Sequence, residues 1–404
     1  MTTRVQCESC TCQELAQGAT GTRLLVASNV AHSIATVRRA CRHAGGTVTT
    51  AESGMVEITA DDVVAVLHAI AGELTSVERE EIRVLRVANP PGTAGRQGGF
   101  HELGGAGVLA GALRAPTLAQ LEARATHGDL AALLADELAR FYSVYQPIVR
   151  LDDGSIAGHE ALLRASSPSG PVMPDEMFAA AADAGWVHVL DRVGRTTALH
   201  GAQGWIGDDL LFVNFVPTTI YRPEVCLRTT ERAAADSGLR LDQLVFEITE
   251  SEDVRDVDHL AHLFAYYKAK GCRVALDDLG SGFSSLDLMV RLEPDVVKID
   301  RETVQRLPGK VATAIVGAIV DIGRVAGTVV LAEGIETAEQ ASAARDLGVE
   351  LAQGWYFGRP VLRTQRASAL AADRRPYAVA PHVAGLQRMH GVDPAVAARP
   401  ATPG

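Results

Sequence analysis

Between Ile156 and Gly354 the chain repeats one pattern seven times: a short apolar run closed by a polar or charged side chain. The closing residues are Glu160 (after IAGH), Asn214 (LLFV), Glu247 (LVF), Asp277 with Asp278 (RVAL), Lys298 (DVV), Glu333 (VVLA) and Gln353 (VELA). Helix-length stretches fill most of the intervals. Strand, helix, strand at this rhythm predicts parallel β-strands joined by crossover helices. In a closed barrel of such units the C-terminal strand ends converge on one face. That face would carry five carboxylates, two amides and a lysine, a composition suited to divalent cations and phosphate chemistry.

Upstream the order changes. RLLVAS reads as a strand, followed by a helix from about Ala31 to Ala44, then the strands GTVTT and MVEIT around a Ser53-Gly54 turn. A second helix starts behind Asp61 and runs to about Gly72, and IRVLRVA closes the set. The order βαββαβ predicts a split-βαβ, ferredoxin-like α+β domain at 21–89, in the place of a sensor or regulatory module. Residues 90–136 read as a Gly/Pro linker followed by a helical connector, since NPPGTAGRQGG and GGAG break both periodicities. Leu118, Leu121, Leu130, Leu133, Leu134 and Leu138 form a helical stripe interrupted near Gly128. Such a stripe ordinarily packs on its own domain, here the barrel. FYSVYQPIV (141–149) reads as the first barrel strand, ending at Gln146-Pro147. The barrel spans 137–375, its pattern fading after Leu362, and 376–404 reads as a weakly ordered tail.

Composition narrows the class. Of 404 residues 47% are hydrophobic and 22% charged, as in soluble globular proteins, and the net charge of -11 argues against a binder of DNA or RNA polymers. The N-terminus lacks an apolar signal core and no apolar run reaches membrane-spanning length, so a cytoplasmic protein without membrane insertion is expected. Cys7, Cys10 and Cys12, in the 1–20 tail, are spaced for a redox site or for a zinc site whose fourth ligand Cys41, His32 or a second chain would supply; the plainer reading is a tail with unpaired thiols.

A lone Glu after an apolar run is ordinarily a solvated strand end or a helix cap. Seven such endings in succession argue otherwise, and ALDDLGSGFSSL (275–286) decides it. Two adjacent aspartates close a buried strand, where mutual repulsion is hard to explain without a cation. Oxygen ligands from Asp, Glu and Asn suit Mg²⁺ or Mn²⁺, and two ions about 3.5–4 Å apart clamp both oxygens of a phosphodiester displacement. Lys298 is either a salt-bridge partner or a group that orients or deprotonates water, and Arg164 either a surface ion pair or a phosphate grip.

GHEALLR, VNF, FEITES, DDLGSGFSSL, VVKID, LAEGIE and QGWYFGRP, in this order, closely resemble the EAL-domain cyclic di-GMP phosphodiesterases over about residues 137–365. The resemblance implies a modified (β/α)₈ TIM-type barrel with one antiparallel strand, and hydrolysis of one 3′–5′ bond of cyclic di-GMP to linear pGpG. It implies two Mg²⁺ or Mn²⁺ ions, one held by Glu160, Asn214, Glu247 and Asp277, the second by Asp277, Asp278 and Glu333. By the same resemblance Lys298 and Gln353 position the water, Glu250 anchors the loop after Asp278, and Gln146, Arg164 and Glu336 contact the nucleotide. A homodimer through the barrel is implied as well. The chain departs from the family pattern at Val216 (commonly Ser), Leu279 (commonly Phe) and Ala165 (commonly aromatic), none of them ligands. A receptor that binds cyclic di-GMP without turnover therefore stays open beside the enzyme. A metal-independent glycosidase on the same barrel would leave Lys298 and the Asp pair unexplained.

Overall fold

The computed structural model describes residues 23–86 and 115–363, apart from 53, 169, 221, 250–256 and 280–284. The Cys7–Cys12 cluster, the Gly/Pro linker, Glu250, the Gly280–Gly282 loop and the C-terminal tail lie outside the described residues.

Near the N-terminus β1 (Arg23–Ala27), β2 (Thr47–Glu52), β3 (Met55–Thr59) and β4 (Arg83–Arg86) form an antiparallel sheet in the order β2-β3-β1-β4. With helices α1 (Ala31–His43) and α2 (Val63–Gly72) this is the split-βαβ arrangement that the element order predicts. Ile34, Val37 and Cys41 of α1, and Val63, Val66, Leu67 and Ile70 of α2, recur at helical spacing. They bury against Leu24, Val26, Val56 and Ile58 of the sheet. A further short helix, α3 (Ser76–Glu81), lies in the polar run SVEREE, where apolar periodicity gives no sign of it. Thr75 and Glu78 cap it reciprocally, and their T-x-x-E spacing is the signal that betrays it.

The connector is two helices, α4 (Leu118–Thr126) and α5 (Gly128–Ala135), broken where Gly128 suggests. Its leucine stripe divides. Leu130, Leu133 and Leu134 pack with Met177, Trp186 and Leu190, around the barrel helices α6 (Pro174–Ala184) and α7 (Val187–Ala202). Leu118 belongs instead to the core of the N-terminal sheet, with Leu121 against it, and its N–H donates to the Ile82 carbonyl at 2.8 Å. The expectation of packing on the barrel thus holds only for the second half of the stripe. From its other side α4 reaches the barrel: Arg124 Nε donates to the Ala184 carbonyl at 2.9 Å, and its guanidinium lies 5.4 Å from the Trp186 ring centre.

Eight strands close the barrel: β5 (Phe141–Arg150), β6 (Ile156–Ser167), β8 (Leu210–Asn214), β9 (Leu244–Thr249), β10 (Arg273–Leu279), β11 (Val296–Ile299), β12 (Val329–Ala332) and β13 (Leu351–Gln353). A short β7 (Gly170–Val172) hairpins onto β6. Neighbours from β6 through β13 run parallel, while β5 is antiparallel to both β13 and β6. Two sequence expectations need correction here. Pro147 does not end β5, because β13 stops at Gln353 opposite Ile148 and makes no ladder bond beyond it. Glu160 lies inside β6 rather than at its end, since β5 and β6 form a hairpin that carries β6 on to Ser167. The hairpin's turn is Asp153-Gly154, with Gly154 at φ 72° and Asp153 Oδ1 accepting from Ser155 N at 2.8 Å.

Ile148, Ala157, Phe212, Val245, Ala275, Val296, Leu331 and Leu351 fill the barrel interior as one apolar layer. The alternate residues of the same strands, such as Val213, Phe246, Val274 and Val297, face outward to the helices. Phe212 is wholly buried in the layer. Phe212→Ala should therefore destabilise the protein by about 3–5 kcal/mol in urea unfolding; a loss below about 1 kcal/mol would mean that the layer collapses to fill the gap.

Candidate active site

Strand side chains alternate with a period of two, so in six parallel strands the residue two beyond the apolar layer also points inward; in β6 a register shift opposite Ile148 and Val149 gives that place to Glu160, three beyond Ala157. Phe212 is followed by Asn214, Val245 by Glu247, Ala275 by Asp277, Val296 by Lys298, Leu331 by Glu333 and Leu351 by Gln353. Antiparallel β5 reads the rule backwards, placing Gln146 above Ile148 and opposite Glu160. An apolar floor thus carries a polar layer, one group per strand.

Lys298, 1% exposed, is the centre of that layer. Its Nζ lies 2.6 Å from Glu333 Oε1, 3.0 Å from Glu247 Oε1, 3.2 Å from Asp277 Oδ1 and 3.9 Å from Glu160 Oε1. Burial alone would push its proton off, but the surrounding carboxylates outweigh it and hold the ammonium well above the usual lysine range. Glu160 accepts from Gln353 Nε2 at 2.7 Å and from Asn214 Nδ2 at 2.9 Å. Burial opposes its charge, yet Lys298 and these two donors keep it below the ordinary value. The other acids move the opposite way. Burial, then repulsion among the carboxylates against the pull of Lys298, lifts Glu247 far up and Glu333 to about 8. Asp277 is raised by burial first and by Glu160.

Asp277 and Asp278 would point to opposite faces of a regular strand. Instead the β10–β11 register shifts between Leu276 and Leu279, and Asp278 adopts φ 58°, a left-handed conformation that Asp tolerates better than most residues. The result is that carboxylate oxygens of Asp277, Asp278 and Glu333 all lie within 4.8 Å of one another. Gly354 secures the other side of the mouth. A Cβ there would meet the Ile335 backbone at 2.0 Å, so only glycine lets Gln353 and the loop after Glu333 approach, joined by Ile335 N to Gln353 O at 3.0 Å.

The donor set suits a hard divalent cation. Both oxygens of Glu247 are buried without a hydrogen bond of good geometry, and three carboxylates share one lysine's charge across short distances. Glu160, Asn214, Glu247, Asp277, Asp278, Lys298, Glu333, Gln353 and Gln146 are thus brought together, Gln146 accepting from Gln353 at 3.0 Å and donating to the Gly358 carbonyl at 3.1 Å. Half-buried Arg164 stands farther along β6, on the Glu160 side of the alternation, with Nη1 donating to the Leu163 carbonyl. Exposed Glu336 accepts instead from Arg301 at 2.8 Å and Gln305 at 2.9 Å, away from the acid cluster. Sequence reasoning misses Asp300. It is buried, caps the helix after β11 through Thr303 N at 3.0 Å, and raises Asp278, whose shift comes first from burial and then from Asp277. Its position two residues beyond Lys298 is the available signal.

These shifts carry a sign. A carboxyl whose folded pKa lies above its unfolded value stabilises the fold when protonated, and that contribution is lost as pH rises through the folded value. For Glu333 the window runs from about 4.5 to about 8. Lys298 titrates above that window, and Glu160 acts below it. The melting temperature in EDTA should therefore fall between pH 5 and 8, and Mn²⁺ should reverse the fall; a melting temperature that rises with pH in EDTA would refute this electrostatic account.

Comparison with known proteins places these features. The EAL domain family matches residues 129–360. The chain is 32% identical over 234 residues to the probable cyclic di-GMP phosphodiesterase PdeI of Escherichia coli, covering 56% of this chain and 30% of PdeI. It spans 27–30% of the length of several curated relatives. A standalone versatile EAL protein from Vibrio cholerae O395, solved with c-di-GMP bound, is similar at TM-score 0.51 and 30% identity, over 55% of this chain and 93% of that one. The fold of Klebsiella pneumoniae BlrP1, solved as a manganese/cy-diGMP complex, extends over 84% of this chain and 95% of its own, at TM-score 0.50 and 24% identity. With that match over more than half its length and a closed barrel carrying the motif residues at its mouth, the chain belongs to the EAL domain family.

Proposed function

We propose that this chain is a metal-dependent phosphodiesterase that opens one 3′–5′ bond of cyclic di-GMP to give linear pGpG. One observation carries the reading: Glu160, Glu247, Asp277 and Glu333 stand around a buried, protonated Lys298, with Asn214 and Gln353 donating to Glu160 and Asp278 beside Asp277 and Glu333. Relatives named as a probable cyclic di-GMP phosphodiesterase and as c-di-GMP complexes support the substrate class.

Glu160, Asn214, Glu247 and Asp277 would hold one Mg²⁺ or Mn²⁺ ion, and Asp277, Asp278 and Glu333 the second. Such ions supply Lewis-acid stabilisation of charge on the phosphate and on the attacking oxygen. In the reaction water gives up one proton as its oxygen bonds to phosphorus, the P–O3′ bond breaks, and the freed 3′ oxygen takes up one proton, so the protons balance. Lys298, held as an ammonium, donates to the water and offsets negative charge as it develops. Gln353, anchored between Glu160 and Gln146, fixes the water's orientation. Arg164 offers a planar donor fork to the nucleotide phosphate. Gln146 and Glu336 complete the nucleotide contacts, Glu336 through the rim it forms with Arg301 and Gln305. Glu250 would anchor the loop after Asp278. The N-terminal sheet domain regulates the barrel, two barrels pair as a homodimer, and the setting is cytoplasmic; among the described residues no helix is long and apolar enough to cross a membrane.

A second reading, binding without turnover, draws on Leu279. This residue belongs to the core around the barrel, 2% exposed, where the family commonly has Phe. Incubating the full-length protein with cyclic di-GMP and Mg²⁺, Mn²⁺ or EDTA, then separating products by chromatography, decides between them. Metal-dependent pGpG is expected; nucleotide bound tightly without product would make the chain a receptor. Lys298→Ala should retain nucleotide binding while losing on the order of 10²–10³ in rate, and equal loss of both would reduce Lys298 to a structural ion pair. Because protons compete with ions for Glu247 and Glu333, Mn²⁺ affinity should rise from pH 6 to 8 with proton release, measured by calorimetry in two buffers. A pH-independent affinity would place the ion elsewhere.

A further inference from the structure

Asn214, the last residue of β8, differs from the other members of the polar layer in being exposed. Beyond it the chain forms an irregular turn and one short 3₁₀ segment, Pro217–Thr219, in place of an immediate crossover helix. Two backbone anchors hold this turn. Phe215 N donates to the Glu247 carbonyl at 3.1 Å, tying the residue after Asn214 to the neighbouring strand. Val216 N donates at 2.8 Å to Oδ1 of Asp191, a residue of α7 that is 3% exposed.

Asp191 does more than accept that one bond. Its Oδ2 accepts from Thr219 Oγ1 at 3.1 Å, while the Thr219 hydroxyl also lies 2.8 Å from the Val216 carbonyl. The same Oδ2 accepts from Arg195 Nε at 3.1 Å and Nη2 at 2.8 Å, one helical turn along α7, and Arg195 Nη1 donates to Thr230 Oγ1. The buried carboxylate thus bonds the turn after β8, while the buried guanidinium holds that carboxylate in place and is itself anchored on Thr230. Buried ion pairs contribute little net stability against apolar replacements of similar volume. Their directional bonds fix geometry, and the geometry fixed here is the two residues beyond Asn214.

We infer that Asp191, oriented by Arg195, is a positioning residue for Asn214, and so sets the affinity of the first metal site without touching the metal or substrate. The inference rests on the proposed metal reading of Asn214. It also gives Val216 a physical setting. A side-chain hydroxyl is lacking at that position, and Asp191 holds the turn through the backbone N–H that any residue but proline supplies.

The test is Mn²⁺ binding to the full-length protein by calorimetry, with thermal unfolding alongside. Asp191→Ala alone leaves Arg195 buried and uncompensated, so the informative variant is Asp191→Leu combined with Arg195→Met, which keeps volume and removes both charges. Expected is a melting temperature near that of the parent and a Kd for Mn²⁺ weakened about 10-fold or more, the usual effect of losing a partner of a ligand. Thr219→Val, which removes one arm, should give a smaller shift in the same direction. In an Asn214→Ala background the double change should cost nothing further, since the residue it positions is gone. An unchanged Kd in the double variant, or the same 10-fold loss in the Asn214→Ala background, would overturn the inference while leaving the metal site standing. Absence of Mn²⁺ binding to the parent protein would overturn the metal reading itself, and this inference with it.

Discussion

A buried lysine ringed by carboxylates is a costly thing to assemble, and the rest of this barrel is arranged to make it possible. Taking four acids out of water without a counter-charge would cost several kcal/mol for each ion. Lys298 supplies the counter-charge from the centre, but only if Glu160, Glu247, Asp277 and Glu333 arrive from four different strands at the same height. Closure of the sheet by the antiparallel β5 is what permits it, because an open sheet would leave Glu160 far from Glu333. Register is the second requirement. A slip of one residue in any strand would turn its polar group outward into the helices and an aliphatic side chain into the mouth.

The same alternation decides how much of the site is legible in the chain. Glu247, Lys298 and Glu333 stand out because an apolar run precedes each, and the barrel brings all three together at its mouth, although β9 runs on to Thr249 and β11 to Ile299. Glu160 is recognisable as a residue yet misplaced as an ending. Its strand runs on to Ser167 as half of a hairpin, and the hairpin's Asp153-Gly154 turn is the sign of it. Pro147 misleads for the complementary reason: proline interrupts a strand only where a neighbour needs its N–H. The N-terminal domain is legible in element order because its helices bury regular stripes. The short helix at Ser76–Glu81 escapes the apolar pattern, since no residue in it is buried, and only its capping pair marks it.

What pattern reading cannot reach is contact between positions far apart in sequence. Asp191 lies on a helix face like any other, and only the fold shows it against Val216. Asp278 is similar, visible as half of an acidic pair, although the left-handed backbone that turns it toward Asp277 leaves no trace in the residue types. Leu118 and Leu130 belong to one stripe by spacing but to two cores in space, because the helix break at Gly128 lets each half take its own partner.

That division bears on how such proteins are built. Helix α4 ends at Thr126, shortly before the family match opens at residue 129, so the piece that grips the N-terminal sheet lies outside the part shared with other EAL domains. A recombination joint placed just ahead of residue 129 would carry the sheet, its core leucine and its docking helix as a single cassette. On the barrel side that segment meets the Ala184 carbonyl, the Gly185 turn, the face of Trp186 and Asp183, which lies 3.4 Å from His127 Nε2, with Ala123 packed on the same cluster. With such a joint the adaptor travels with the module, and the barrel residues that face it stay in place.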